Sequence, residues 1–409
     1  MDFEPDYSKY TLIELLDASV SIDPKKYPER AKRLDDEIAR RTSAALEENT
    51  QVPEQPPKLR LEFRGSAREY FRIWIVNLCL TLLTLGIFSA WAKVRKKRYL
   101  YSHTILGDTP FQYLARPIPI LKGRVIAAVG FLAYYASTHF ITSLLPYVLG
   151  AGLIGAPWVI VRSAAFKARY SAFRNMTLHF DGGYLGAAKV LYAWGAIPVI
   201  VIGMMFNWPG KPVIVGIASA IFGLSYPWWI RRLKKFIVEH TSYGGKKGTF
   251  SATGGQFFNI YFISGLIILA VVIPSGALAA ILFASTKKAW LSTYLFATPL
   301  YAGYVLAFAY LRAHSGNLVW NHTRLGPLYF QSALRSGDLL KLYVTNALAI
   351  VVSVGLLIPW AVMRTIKYRA DHTWVMQEGD LSEFQGSDMT AVAAVGAETI
   401  DFFDVDLSL

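Results

Sequence analysis

Four histidine–threonine pairs carry the residue types best suited to chemistry: His103-Thr104, His240-Thr241, His322-Thr323 and His372-Thr373. Imidazole binds transition metals and titrates near neutral pH, so four of them converging on one face would make a metal centre or a proton site. The plainer alternative is that each histidine orders its own turn by bonding backbone. Trp91, Trp228 and Trp360 precede three of the pairs at constant spacing, with Arg95, Arg232 and Arg364 one helical turn after each tryptophan. The tryptophans read as interfacial anchors. The arginines read either as anchors of the same kind or as a cradle for an anionic lipid head group. Asn77 and Asn346 are polar residues inside apolar segments, which either bond across helices or line a polar path.

Enzyme signatures are missing from the chain. It has no HExxH, no GxSxG with partners, no Walker-type loop and no paired acids inside an apolar segment. The glycine pairs Gly182-Gly183, Gly244-Gly245 and Gly254-Gly255 lack a strand–loop–helix context and read as turns. The one cysteine, Cys79, rules out an internal disulfide and reads as a packing residue. No catalytic residue, metal or cofactor is therefore assigned.

The elements that position these residues are repeats. Asn77, Gly86, Trp91, Ala92, Arg95, Tyr99, His103 and Thr104 recur as Asn346, Gly355, Trp360, Ala361, Arg364, Tyr368, His372 and Thr373, all displaced by 269 positions without a gap. Lys/Arg also correspond at Arg72/Lys341 and Arg98/Lys367. Inner copies keep Trp228, Arg232, His240 and Thr241, then Tyr310, His314, His322 and Thr323. A fifth copy surrounds Trp158 and Arg162. There Asn175-Met176-Thr177 is aligned with the His-Thr position, after six extra residues. Gly107, Gly244 and Gly326 each lie three residues past a threonine and are followed by an aromatic residue, which reads as a strand, a turn and a return strand. Repetition of this kind implies pseudo-symmetry.

Apolar runs dominate the rest. The 409 residues are 54% hydrophobic and 17% charged, and segments such as 257–284 and 291–311 hold no Asp, Glu, Lys or Arg. Runs of about 18 or more apolar residues match a hydrocarbon core about 30 Å thick, and only self-satisfied backbone crosses it. Single segments are expected at 71–92 and 340–363. Tightly turned pairs are expected at 125–145 with 147–161, 190–206 with 213–230, and 257–284 with 291–311. Residues 63–369 carry 32 Lys/Arg against five acids, and only Lys211, Lys287 and Lys288 fall in the turns inside pairs. The other basic residues cluster on one face, which the positive-inside rule makes cytoplasmic. The terminal copies fit that face if 71–92 and 340–363 enter and leave on the same side, broken at Leu83–Ile87 and at Val354-Gly355 with Pro359; the alternative is eight full spans with one copy inverted. Charge spread over loops between spans matches no nucleic-acid reader.

The stretch from Asn77 to Tyr101, NLCLTLLTLGIFSAWAKVRKKRYLY, followed by Gly107 and Phe111, resembles the signature of the YjgN family of bacterial multi-pass inner-membrane proteins of unassigned activity. The resemblance covers roughly residues 60–375. It implies an inner-membrane location and carries over no catalytic residues. An N-terminal module is a departure from that pattern and resembles a small appendage of assorted bacterial membrane proteins.

The expected fold is an all-α membrane protein: a polytopic helical bundle with internal repeats, about six full spans, two re-entrant or broken segments and short cytoplasmic β-hairpins. Residues 1–50 are a small soluble helical module, 51–62 a Pro-rich linker, 63–375 the repeat-built transmembrane domain and 376–409 an acidic tail that could dock on the basic face. The first functional reading is a non-enzymatic transporter- or channel-like protein of the bacterial inner membrane, with both termini cytoplasmic. The alternative is an anionic-lipid-binding or scaffold protein of an envelope complex, and a lipid- or glycan-modifying enzyme ranks third. The expected partners are membrane lipids with anionic head groups and an envelope protein; nucleic acid is excluded.

Overall fold

A computed structural model describes residue 7, residues 10–49 except 25, and residues 58–192 and 212–378. The chain forms two compact units, 1–56 and 57–409. In the first, α1 (Leu12–Ser21) opens with a capping box between Thr11 and Glu14, which satisfies two of the free N–H groups of the first turn. It packs on α2 (Pro28–Asn49), with Leu15 and Leu34 fully buried between them.

The second unit is five turns of one pattern: two helices, then two strands. β1 (Lys58–Phe63) precedes the first pair, α3 (Ala67–Leu83) and α4 (Ser89–Ser102), which ends in β2 (Thr104–Leu106) and β3 (Thr109–Pro110). β4 (Gln112–Tyr113) leads into α5 (Pro117–His139), α6 (Leu145–Tyr170), β5 (Ser171–Phe173) and β6 (Met176–Phe180). The third pair is α7 (described over 184–192) and α8 (Pro212–Glu239), followed by β7 (Thr241–Tyr243) and β8 (Lys246–Phe250). The fourth is α9 (Gly254–Thr286) and α10 (Ala289–Asn321), with β9 (Thr323–Leu325) and β10 (Leu328–Ser332). The fifth is α11 (Ser336–Val352) and α12 (Ile358–Asp371), ending in β11 (Thr373–Gln377).

These strands form one eleven-stranded sheet in the order β3-β2-β1-β11-β10-β9-β8-β7-β6-β5-β4, antiparallel throughout. Its two edges, β3 and β4, are joined through Phe111 alone, so the sheet closes on itself through the chain. The first and last strands of the unit, β1 and β11, pair as Lys58–Met376 through Arg60–Trp374 and supply the hairpin that the fifth repeat lacks. The helices follow the same cyclic order: α3 packs on α4, α4 on α5, α5 on α6, and α8 through α12 each on the next, with α12 back on α3. Ile160 and Val161 of α6, Ala187 of α7 and Phe236 of α8 share one cluster that joins the second and third pairs.

The expected all-α class is therefore overturned, as is the count of about six full spans. The hairpins do not stand separately, because an isolated hairpin leaves two unpaired edges and is marginal in water. Each edge is instead paired with the next repeat. Among the described residues four helices are long and apolar enough to cross a membrane: Pro117–His139, Thr142–Tyr170 with its leading turn, Gly254–Thr286 and Ala289–Asn321. Most of the expected segment 190–206 lies outside the described residues. The terminal segments are helical hairpins that leave the sheet and return to it. Each breaks where two consecutive residues are left-handed, Leu85 and Gly86 (φ 51° and 91°) and Val354 and Gly355 (φ 50° and 89°). β1 also draws on residues read as linker, and residues 379–409 of the acidic tail lie outside the described residues.

Gly248 is fixed by close approach: a Cβ there would run into the backbone carbonyl of Val238. Gly223, on α8, has open space around it. Gly248→Ala is therefore expected to destabilise the protein by about 1–3 kcal/mol through overpacking. Gly223→Ala is expected to be neutral or to stabilise by up to about 1 kcal/mol, from helix propensity. Thermal unfolding of the detergent-purified protein checks both signs.

Candidate functional site

Each histidine of the four pairs sits at the C-terminal end of the second helix of its repeat. The last carbonyls of a helix have no partner within it. The histidine Nδ1 faces the carbonyl four residues back in all four cases: His103 to Tyr99 at 2.7 Å, His240 to Phe236 at 2.8 Å, His322 to Leu318 at 2.9 Å and His372 to Tyr368 at 2.8 Å. That geometry calls for the proton on Nδ1, so that the ring donates. The threonine hydroxyl donates to the next carbonyl, from Thr104, Thr241, Thr323 and Thr373 to Leu100, Ile237, Val319 and Arg369 at 2.7–2.8 Å. The imidazoles are thus committed to their own helix ends. Among the described residues no three His, Cys, Asp or Glu side chains gather as a metal site would need.

The second repeat corrects the sequence alignment. α6 ends at Tyr170 and β5 starts at Ser171, so Tyr170-Ser171 stands where the other copies have His-Thr, and no extra residues precede it. Asn175 lies instead in the hairpin turn, where Arg174 and Asn175 are both left-handed (φ 48° and 61°), the type I′ pattern.

Asn77 and Asn346 do not line a polar path. Both are buried and lock the two arms of a terminal hairpin together. Asn77 Nδ2 donates to Ala92 O at 3.4 Å and Asn346 Nδ2 to Ala361 O at 3.3 Å. Their Oδ1 atoms accept from Arg95 (3.3 Å) and Arg364 (3.4 Å). Arg364 goes further, donating to Thr345 Oγ1 at 2.6 Å while its guanidinium lies 5.2 Å from the centre of the Trp360 ring. Trp91 stacks on Phe88 and packs against the cluster of Ala90, Val94 and Ile120. Arg232 is exposed on the last turns of α8, where its neighbour Arg231 caps the Ala252 carbonyl at 2.7 Å. The structure therefore brings Asn77 with Arg95, and Asn346 with Trp360 and Arg364, but leaves the histidines apart, one per repeat.

Sequence reasoning missed the residues that fill the ring. Two positions beyond each threonine or its equivalent stand Leu106, Phe173, Tyr243, Leu325 and Val375, and all five are buried together, with Leu61, Phe111, Leu178 and Phe330 packed around them. Burial pushes the Tyr243 hydroxyl up to about 12, so it stays protonated and donates to Phe173 O at 2.9 Å. The signal was present as a constant spacing but not as a constant residue. Also missed was a groove between α11 and α12 of about 410 Å³, lined by Asp338, Lys341, Leu342, Arg364, Lys367, Tyr368 and Asp371.

A family described as bacterial protein of unknown function, DUF898, matches residues 58–402, which takes in the whole ring of repeats. The chain belongs to that family. Among its curated relatives is inner membrane protein YjgN of Salmonella typhimurium, 28% identical over 192 residues, 42% of this chain and 47% of that protein. The proteins of the same name from Escherichia coli O157:H7 and K12 are 40% identical over 112 residues and 34% identical over 88, or 27% and 21% of either chain. The matched region thus spans about half of the Salmonella relative and less of the others. No solved structure matches. The YjgN likeness read from Asn77 to Tyr101 holds, and with four apolar helices the chain is an integral membrane protein whose relatives are named for the inner membrane.

Asn346→Leu is expected to cost about 1–3 kcal/mol, because it removes the buried side chain that ties the two arms of the hairpin together through Ala361 O and Arg364. Thr241→Val keeps shape and removes one bond, and should cost about 1 kcal/mol. Thermal melts of the purified variants give the ranking, Asn346→Leu below Thr241→Val below wild type.

Proposed function

We propose that this protein is a lipid-binding protein of the bacterial inner membrane and not a conduit, with its closed sheet on the cytoplasmic face. The carrying observation is the filled ring. Side chains from all five repeats meet inside the sheet, so a route along that axis would have to displace a packed apolar core, and packed interiors resist this. The expectation of a transport path rested on Asn77 and Asn346, whose polar atoms are used in holding helix pairs. The four candidate spans bury only 11–17% of their most apolar stretches within the chain and present the rest outward. Large side chains such as Phe131, Ile154, Ile281 and Tyr301 are exposed on them, as lipid contact demands.

The cytoplasmic orientation is supported by charge. The basic runs 93–98, 162–169, 231–235 and 364–369 all occupy helix turns next to the sheet, where positive-inside anchoring and anionic head groups act together. An envelope protein partner remains part of the alternative scaffold role.

Two measurements test the reading. Protein purified in mild detergent is expected to retain phospholipid, detected by native mass spectrometry. Reconstituted into vesicles, it is expected to leave ion and small-solute leakage at the level of empty vesicles. Stripped protein together with solute flux would overturn the proposal.

A further inference from the structure

The first and last repeats share a sequence pattern but differ at the base of their helical hairpins. In both, the tyrosine hydroxyl accepts a backbone N–H, Ser66 to Tyr99 at 2.8 Å and Arg335 to Tyr368 at 3.1 Å. In the first, Arg98 also donates to Ala115 O at 3.2 Å, and the Tyr99 hydroxyl lies 3.1 Å from Glu69. In the last, the counterparts of Arg72, Arg98 and Glu69 are Lys341, Lys367 and Asp338, and they line an open groove. Lys341 and Lys367 are exposed, and among the described residues neither side chain makes a hydrogen bond or ion pair. Arg364 between them is held in place by Thr345, Asn346 and the Trp360 ring, so its remaining N–H groups are presented at a fixed angle.

Charge and surroundings select the ligand. Three cations and two carboxylates, Asp338 and Asp371, leave the groove with one net positive charge, which complements a phosphodiester and not a phosphomonoester dianion. A fixed guanidinium flanked by ammonium groups is suited to phosphate oxygens. From Lys341 toward the hairpin tip the same side of α11 carries Val344, Leu348 and Val352, 41%, 60% and 84% exposed. These lie three, seven and eleven residues on, one stripe of a helix. A polar groove continuous with an exposed apolar track fits an amphiphile.

We propose that the groove between α11 and α12 binds the phosphodiester head group of a membrane phospholipid through Arg364, Lys341 and Lys367, with an acyl chain lying along Val344, Leu348 and Val352. This rests on the lipid-binding reading above and names one of its sites.

Native mass spectrometry of the full-length protein, titrated with dioleoylphosphatidylglycerol, tests it. The double variant Lys341→Ala/Lys367→Ala is expected to bind at least about tenfold more weakly, equivalent to about 1.4 kcal/mol. Arg364→Lys, which keeps the charge but loses the fork, should weaken binding severalfold, and Arg60→Ala on the sheet should leave it unchanged. Both lysine side chains are exposed and make no bond among the described residues, so the double variant should melt within a few degrees of wild type, and Leu348→Glu supplies a second route by breaking the acyl track. Wild-type affinity in both the double variant and Leu348→Glu would overturn the site while leaving the lipid-binding reading intact. Failure of wild type to hold any phospholipid would overturn both. Free sn-glycerol 3-phosphate binding as tightly as the lipid would identify a soluble phosphate ester and overturn the lipid source. A clear preference for phosphatidic acid would overturn the match to a single charge.

Discussion

One backbone hydrogen bond, made five times, holds the ring. The residue that follows each outgoing strand donates its N–H to the carbonyl of the residue that ends the second helix of the pair that comes next. The donors and acceptors are Arg64 and His103, Leu114 and Tyr170, Asp181 and His240, Ser251 and His322, and Ala333 and His372, at 2.9–3.1 Å. A helix end has several carbonyls to satisfy, and three kinds of donor share the task here: the histidine ring, the threonine hydroxyl and the neighbouring strand. The helix termini and the sheet therefore form one hydrogen-bonded structure. The strand register follows from it, with Phe63 opposite Thr104, Tyr113 opposite Ser171, Phe180 opposite Thr241, Phe250 opposite Thr323 and Ser332 opposite Thr373. No repeat can close its own sheet edge, so none is complete without the next.

This explains why histidine and threonine recur without being a reactive site. A side chain at the last helical residue that donates to the carbonyl four residues back, followed by a hydroxyl that does the same, ends a helix and starts a strand in two residues. Tilted ring contacts support the ring position: Tyr99–His103, Phe236–His240 and Tyr368–His372 have centroids 4.1–4.5 Å apart. In the second repeat Phe166 and Tyr170 make a tilted contact at 4.5 Å, so an aromatic residue replaces the imidazole in the same place. The Ser171 hydroxyl there meets the Tyr101 hydroxyl at 3.1 Å.

Much of this was legible in the sequence, and the limits have physical causes. The offset of 269 positions found the two terminal hairpins and their breaks, because a left-handed glycine, a buried asparagine and its arginine are each chemically demanding. The sheet was legible only as hairpins. Its strands are two to six residues long, too short for alternation to register, and their pairing joins residues from opposite ends of the unit, such as Leu59 and Val375. The second repeat was misaligned because Tyr170 and Ser171 occupy the His-Thr place with different residue types. The ring interior was invisible for a related reason. Burial asks only for an apolar side chain that fits, so leucine, phenylalanine, tyrosine, leucine and valine fill one position in five copies. The two asparagines were singled out as polar residues inside apolar segments, with bonding across helices one of two readings; half of their partners, the carbonyls of Ala92 and Ala361, are backbone groups that leave no trace in a sequence.

The ring is nevertheless unequal around its circumference, and this bears on where lipid can sit. Because β1 and β11 are neighbours and α12 packs on α3, the two short hairpins lie side by side. A 17-residue arm such as α3 or α11 reaches about 25 Å, whereas the 33 residues of α9 and of α10 each reach about 50 Å. The short hairpins end in Leu83, Leu85, Val352 and Val354, each at least 80% exposed. Such tips suit an apolar surrounding, and on the lipid-binding proposal the space beyond them is open to lipid. On that proposal the bilayer beside this sector meets a shorter protein surface than on the side of α9 and α10, a mismatch that costs free energy with each ångström. The basic groove between α11 and α12 opens in this same sector. On the proposed reading, charge at the base and a short apolar wall above it are what favour this side of the ring for an ordered lipid.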